Sequence, residues 1–388
     1  HEQYTRNMVT GASNADVAVL LVDAQSGVSE QTRRHATIVS MMGIKEVIVT
    51  INKMDLIGYD QAQFAKIRND FATLSDWIKI PKITCIPVAA VHGHNVVTRN
   101  TAELAWYDGP TLLEALENAE KKQEADGATQ SARVCVHRVS RPNERFRGFQ
   151  CTVYGAPLRV GQAVLVQPSS QPANIDRIVT FDGDLDTAEP GQAVTIVLDR
   201  KLDVARGDFL VDAAHPLISS HTVQAKIVVL WDQGLQASKR YIVKSSARTQ
   251  KASLSALKTI SLGSGEWLSN PTLGVNDITQ AELSFDEPFF FDVFEAQPET
   301  GAFILIDPDN LQTVAGGMVE GSSNGYTNEA AMIDLISLRL PADLAKQVLE
   351  TAHKEDRLDE VHMASEQFET LDASWIKELT IKGLSRNL

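Results

Sequence analysis

Apolar residues in the first ninety positions come in short unbroken runs. Residues 15 to 23 (Ala-Asp-Val-Ala-Val-Leu-Leu-Val-Asp), Val47 to Ile51 and Ile83 to Ala90 each read this way. Such runs suit parallel strands buried on both faces. Glu30 to Met42 and Gln61 to Leu74, between the runs, have helical periodicity, and so does Thr111 to Lys121 after the third. The order β-α-β-α-β-α predicts an open, doubly wound sheet. Three strands with helices on both sides leave a sheet edge uncovered, so the pattern predicts further strands of the same domain ahead of His1.

The pattern changes at a polar, aperiodic stretch, residues 123–130, which reads as a linker. Beyond it, alternating segments such as Ala132 to Val139, Phe149 to Tyr154, Ala163 to Gln167, Asn174 to Thr180 and Ala193 to Leu198 are separated by turns at Gly155, Gly161, Gly183 and Gly191. Short strands at this spacing predict a small antiparallel barrel over 131–218. Gln224 to Trp231, Arg240 to Val243, Asp277 to Phe285 and Ala302 to Ile306 predict a second barrel over 219–319. The remaining segment, 320–388, opens on a Gly/Ser/Asn-rich loop and continues as a charged, helical tail. Leu344, Ala345, Val348, Leu349 and Ala352 share one face of its first helix, and Val361, Ala364, Phe368, Leu371, Trp375 and Leu379 follow in a second. These faces pack either on the chain's own barrels or on a partner. The fold expected is multidomain, α/β followed by all-β.

Composition narrows the setting. With 388 residues, 43% hydrophobic and 22% charged, the chain has room for two or three globular domains. A net charge of -14 argues against broad nucleic-acid binding. No apolar run approaches the roughly 18 residues of a membrane span. Cys85, Cys135 and Cys151 show neither metal spacing nor a disulfide framework, so the chain reads as cytoplasmic, with buried, inert thiols.

The most informative chemistry is Asn52-Lys53-Met54-Asp55, at the C-terminal end of the second strand, where open α/β sheets place ligands. A carboxylate at Asp55 can accept hydrogen bonds from both the N1–H and the exocyclic amine of guanine. Adenine offers no such donor pair and would leave the charge unsatisfied. Asn52 can bond the acceptor edge of the base and tie neighbouring loops together, and the methylene stem of Lys53 can cover the base face. The third strand ends in Pro87-Val88-Ala89-Ala90-Val91, then His92-Gly93-His94-Asn95, at the same edge. This stretch resembles the second guanine-contacting loop of such nucleotide-binding folds, and the resemblance implies that small side chains at Ala89, Ala90 and Val91 let backbone approach the base, with the Ala90 N–H facing the guanine oxygen. His92 and His94 lack further metal ligands at a suitable spacing, and no metal site is expected in these residues.

These motifs, together with residues 1–8 (His-Glu-Gln-Tyr-Thr-Arg-Asn-Met) and the two barrels, resemble the translation-factor class of GTPases. The stretches HEQYTRNMVTGAS, QTRRHATIVSMMGIKEVIVTINKMDLIGYD, RPNERFRGF, VTFDGDLDTAEPGQAVTI and TGAFILID narrow the resemblance to the GTP-hydrolysing subunits of bacterial sulfate adenylyltransferase (ATP sulfurylase), over about residues 1 to 319. The resemblance makes residues 1–122 the C-terminal part of a P-loop-type GTPase domain. It aligns His1 with the histidine that positions the attacking water, although a frayed terminal residue is an equal reading. It also implies GTP and Mg2+, and a separate catalytic subunit that joins ATP and sulfate, with adenylyl-sulfate kinase a further associate. The loop serine of the family is Ala89 here, which removes one side-chain hydrogen bond. No Gly-x-x-x-x-Gly-Lys-Ser/Thr loop occurs in the sequence, so phosphate and magnesium contacts are expected from a segment ahead of His1. Two other functions share this layout: a translation factor delivering aminoacyl-tRNA, and a non-hydrolysing scaffold.

Overall fold

The computed structural model describes residues 5–12, 15–119, 131–143, 146–237, 239–246, 248–269 and 272–322. His1, the 123–130 linker and the two tail helices lie outside the described residues. The N-terminal unit is a parallel sheet in the order β1 (Val17–Asp23), β2 (Glu46–Asn52), β3 (Lys82–Pro87). Residues 46–51 of the central strand are all buried, which is why it reads as a continuous run. Asp23 is in register with Asn52, and Ile51 with Pro87, so the three strands finish level and release their loops at one edge.

Among the described residues this unit carries helices α1 (Thr5–Ala12), α2 (Glu30–Met41), α3 (Gln61–Ile78) and α4 (Leu112–Glu117). Ser29 and Asp60 cap α2 and α3, their side-chain oxygens accepting the Thr32 and Ala62 amides. Phe64, Ile67, Phe71 and Leu74 of α3 pack with Ala36 and Val39 of α2 on Val22, Val47, Val49 and Ile51 of the sheet. On the opposite face Ile48, Ile86 and Val88 meet Ala115 of α4. The last helix is shorter than expected over Thr111–Lys121: a capping box between Thr111 and Glu114 starts it, and Asn118 caps its end. The third strand also stops earlier, at Pro87, because Ala90–His92 winds into a 3-10 turn instead of extending.

Two closed sheets follow. The first is built from β4 (Arg133–Asn143), β5 (Phe146–Tyr154), β7 (Ala163–Gln167), β8 (Gln171–Thr180), β11 (Ala193–Leu198) and β12 (Phe209–Asp212); β11 pairs with both β5 and β8 and closes it. Three short strands, β6 (Leu158–Arg159), β9 (Gly183–Leu185) and β10 (Thr187–Ala188), trim its ends. The second contains β13 (Ile218–Val229), β15 (Arg240–Ser245), β16 (Arg248–Ile260), β19 (Ile278–Phe291), β20 (Ala302–Ile306) and β21 (Thr313–Ser322), closed by β15 against β16. The short strands β14 (Leu235–Gln236), β17 (Trp267–Ser269) and β18 (Thr272–Leu273) and the single turn α5 (Pro298–Gly301) complete it. Closure removes the unpaired edges that a strand-rich chain would otherwise expose.

The units are joined by specific contacts. Val228, Ile278 and Met318 of the second barrel belong to the same apolar core as α2 and α3, and Met8 and Val9 of α1 pack against it. Gly265, at φ +74°, lies against the Trp77 indole of α3, where a Cβ would stand 2.7 Å from the ring. Between the barrels, Arg133 makes two 2.8 Å hydrogen bonds to the Asp292 carboxylate and donates a third to the His215 carbonyl.

Candidate guanine-binding site

The site is the edge where β1, β2 and β3 end. Asn52 closes β2 with its side chain aimed at its neighbours. Its Oδ1 accepts the Lys53 amide at 2.8 Å and the Ala90 amide at 3.1 Å, and its carbonyl accepts the Ala24 amide at 2.8 Å. One residue thus ties together the loops after all three strands. The Ala90 amide, expected to face a guanine oxygen, donates instead to Asn52 Oδ1.

Lys53 follows in a left-handed conformation, φ +63°. That turn sends its side chain back across the strand ends to Asp23, with Nζ 2.6 Å from Oδ2. The Lys53 ammonium, with the Gln25 amide second, holds the Asp23 carboxyl below the ordinary carboxylate range. The lysine stem is thereby pinned at both ends, spanning the ends of β2 and β1.

Met54 is fully buried; its amide donates to the Val88 carbonyl, and its carbonyl accepts the Tyr59 amide. It anchors the 3-10 turn Met54–Ile57 and so presents Asp55 at the rim. Asp55 Oδ2 stands 3.7 Å from His92 Nε2. Across from it, Ala89 is completely buried, its amide on the His94 carbonyl and its carbonyl taking the His92 amide. Ala90 is exposed and Val91 is 88% exposed at the tip. Asp55 and the Ala89–Val91 backbone thus stand at the same strand edge, His92 of the second loop facing the Asp55 carboxylate. This chemistry matches a flat heterocycle with adjacent N–H donors.

Three supporting residues escaped the sequence reading. Asp23 ends an apolar run in register with Asn52, and a carboxylate at that position was the available signal. Asn95 is fully buried: Nδ2 donates to the Pro87 carbonyl and Oδ1 accepts the Asn100 amide, setting the loop after β3. Tyr59 bonds His94 Nδ1 through its hydroxyl at 2.7 Å. Neither of the last two contacts has a signature in local spacing. Arg147, which follows Arg141 and Arg145 in the sequence, lies on β5 beside Asp203 and over the Phe149 ring.

Residues 1–122 match the family model for the elongation factor Tu GTP binding domain, and residues 222–320 match the GTP-eEF1A C-terminal domain-like family. Sulfate adenylyltransferase subunit 1 of Agrobacterium fabrum is 47% identical over 90% of this chain and 70% of its own length. The subunit 1 of Rhizobium meliloti is 44% identical over 94% of this chain and 72% of its own. A crystal structure of sup35 complexed with GMPPNP aligns over 80% of both chains with a TM-score of 0.46 and 22% identity.

Proposed function

The chain belongs to the family of sulfate adenylyltransferase subunit 1, and we propose from that premise how its loop edge reads guanine on behalf of a partner subunit. It is the GTPase subunit of an ATP sulfurylase. Its partner, in our reading the catalytic subunit, joins ATP and sulfate into adenylyl sulfate and pyrophosphate in the cytoplasm, with adenylyl-sulfate kinase the consumer of that product. Among the described residues no helix is long and apolar enough to cross a membrane.

The observation that carries the base-reading role is the union of Asn52–Asp55 with Ala89–Val91 at one strand edge, inside the matched GTP-binding domain. Asp55 accepts the N1–H and the exocyclic amine of guanine. The Lys53 stem, fixed by Asp23, forms a shelf under the ring, and Asn52 holds the Ala89–Val91 backbone along the oxygen edge of the base. Magnesium accompanies GTP hydrolysis in this class. The described residues hold no group of three or more His, Cys, Asp or Glu suited to a metal, so none of them is assigned a step with it.

Forming a phosphosulfate anhydride is strongly uphill. GTP hydrolysis drives it only where the nucleotide state of one subunit alters the equilibrium on the other. The second barrel, sharing a core with α2 and α3, is suited to carry that change. The test is adenylyl sulfate formation by the full-length protein with its partner subunit. We expect formation to rise with GTP, and to depend on XTP instead when Asp55 is replaced by Asn. Formation indifferent to GTP would overturn the reading.

A further inference from the structure

Asp55 has one hydrogen-bond or ion-pair partner for its carboxylate among the described residues, the imidazole of His92. The separation of 3.7 Å is that of a charge contact rather than a formed hydrogen bond. The neighbouring loop supplies no hydroxyl, because position 89 is alanine. His92 is itself placed by a chain of contacts. Its ring lies 5.5 Å from that of His94, tilted by 37°. The Tyr59 hydroxyl bonds His94 Nδ1, and Tyr59 is fixed through its amide on Met54 and its carbonyl on the Trp106 indole N–H. Tyr59, His94, His92 and Asp55 thus form a continuous row along the rim of the base site.

We infer that His92 is a positioning residue for guanine recognition, holding Oδ2 of Asp55 so that the carboxylate plane meets the two N–H donors of the base together. This rests on the reading of Asp55 as the guanine reader. A carboxylate accepts at two oxygens with about four lone-pair sites, so Oδ2 can take an imidazole N–H and a base N–H at once. Either the Nε2–H tautomer or the imidazolium supplies that proton. An unheld aspartate at a half-open rim rotates about its last torsion, and each rotation breaks the paired acceptor geometry. Fixing it before the ligand arrives lowers the ordering cost of binding. The opposite role, an imidazolium competing with the base for Asp55, predicts the reverse sign of effect.

The experiment compares GTP with ITP, which lacks the exocyclic amine, by calorimetric titration of the full-length protein. The ratio of the two affinities reads the second hydrogen bond to Asp55 and is insensitive to overall stability. His92→Leu should cut the ratio by about three- to tenfold, the worth of one hydrogen bond. His92→Gln, which keeps an N–H donor, should preserve most of it. A ratio unchanged or raised in His92→Leu, or an equal loss in His92→Gln, would overturn the proposal. Asp55→Asn checks the premise separately: if it inverts preference toward XTP while His92→Leu does nothing, only the role of His92 is lost. If it keeps GTP preference, the reading of Asp55 fails and His92 with it.

Discussion

Asn52 Oδ1 accepts the Ala90 amide across thirty-eight residues of chain, at 3.1 Å, while also accepting the amide of Lys53. The two loops of the candidate site are therefore set by one side chain. Replacing Asn52 with Ala removes both bonds and leaves two amides to water, at a cost of about 1–2 kcal/mol in stability. Affinity for GTP should fall more than this, because the loop carrying Ala89–Val91 loses its register with Asp55. Chemical denaturation and nucleotide titration on the same preparation give the two numbers, and equal losses would show that the loop does not depend on Asn52.

At Asp55, substitution by Asn exchanges a double acceptor for one acceptor and one donor. Guanine then meets a donor facing its own N–H, whereas the 2-carbonyl of xanthine is complemented. We expect GTP affinity to drop by about two orders of magnitude or more, as for other lost polar matches in buried recognition, and XTP to become the preferred ligand. Competition between the two nucleotides measures this directly.

How much of this was legible in the sequence varies with the type of signal. Unbroken apolar runs gave β1 and β2 nearly to the residue, and short β-branched or apolar segments bounded by turns gave Ala163–Gln167, Ala193–Leu198 and Ala302–Ile306 with the boundaries of β7, β11 and β20. By contrast β16 was not marked as a strand. Its buried residues Ala252, Leu254 and Leu257 break the two-residue period, because the pairing shifts between Ser255 and Lys258 and Ala256 adopts φ +49°. The Gly-rich β21 was hidden similarly, since Gly316 and Gly317 pack against other elements and carry no side-chain pattern. At the candidate site, the tetrapeptide Asn52–Asp55 was visible because its residue types are informative locally. The contacts of Asp23, Tyr59 and Asn95 were not, because each depends on a partner brought close by folding.

The Lys53 to Asp23 pair makes a pH prediction. The folded-state carboxyl of Asp23 is depressed, so its contribution is present above the ordinary carboxylate range and is lost as pH falls through the depressed value. Asp23→Asn should therefore lose this contribution at neutral pH, no more than about 1 kcal/mol since Lys53 is half exposed, and flatten the acid limb of the stability curve by the same amount. GTP affinity should fall in this variant as the lysine shelf loosens. An unaltered acid limb in Asp23→Asn would remove the pair from the account.

The thiols offer a chemical check on packing. Burial pushes Cys85 up to about 11 and Cys151 up to about 12, leaving almost no thiolate near neutrality. Cys135 is buried as well. Iodoacetamide should leave all three unmodified in the native protein and label all three after unfolding, as read by mass spectrometry. Rapid native labelling of Cys151 would contradict the closed first barrel.

Arg133 and Asp292 form a largely buried polar link between the barrels. Their side chains are only 8% and 13% exposed, and Asp292 also accepts the Thr300 hydroxyl. Nε and Nη2 of the guanidinium donate to the two oxygens of the carboxylate, the bidentate geometry that arginine favours. Replacing Arg133 with Leu strands Asp292 in a dry interface and leaves the His215 carbonyl without its donor, at an expected cost of about 3–5 kcal/mol. The double variant Arg133→Leu with Asp292→Leu should recover a large part of that loss, since no charge is then left unpaired. If the link couples the barrels, Arg133→Leu should also separate their melting into two calorimetric transitions, and the double variant should bring them back toward one. A loss below about 1 kcal/mol, the level of an exposed pair, with a single transition retained, would show that apolar contacts alone hold the barrels together.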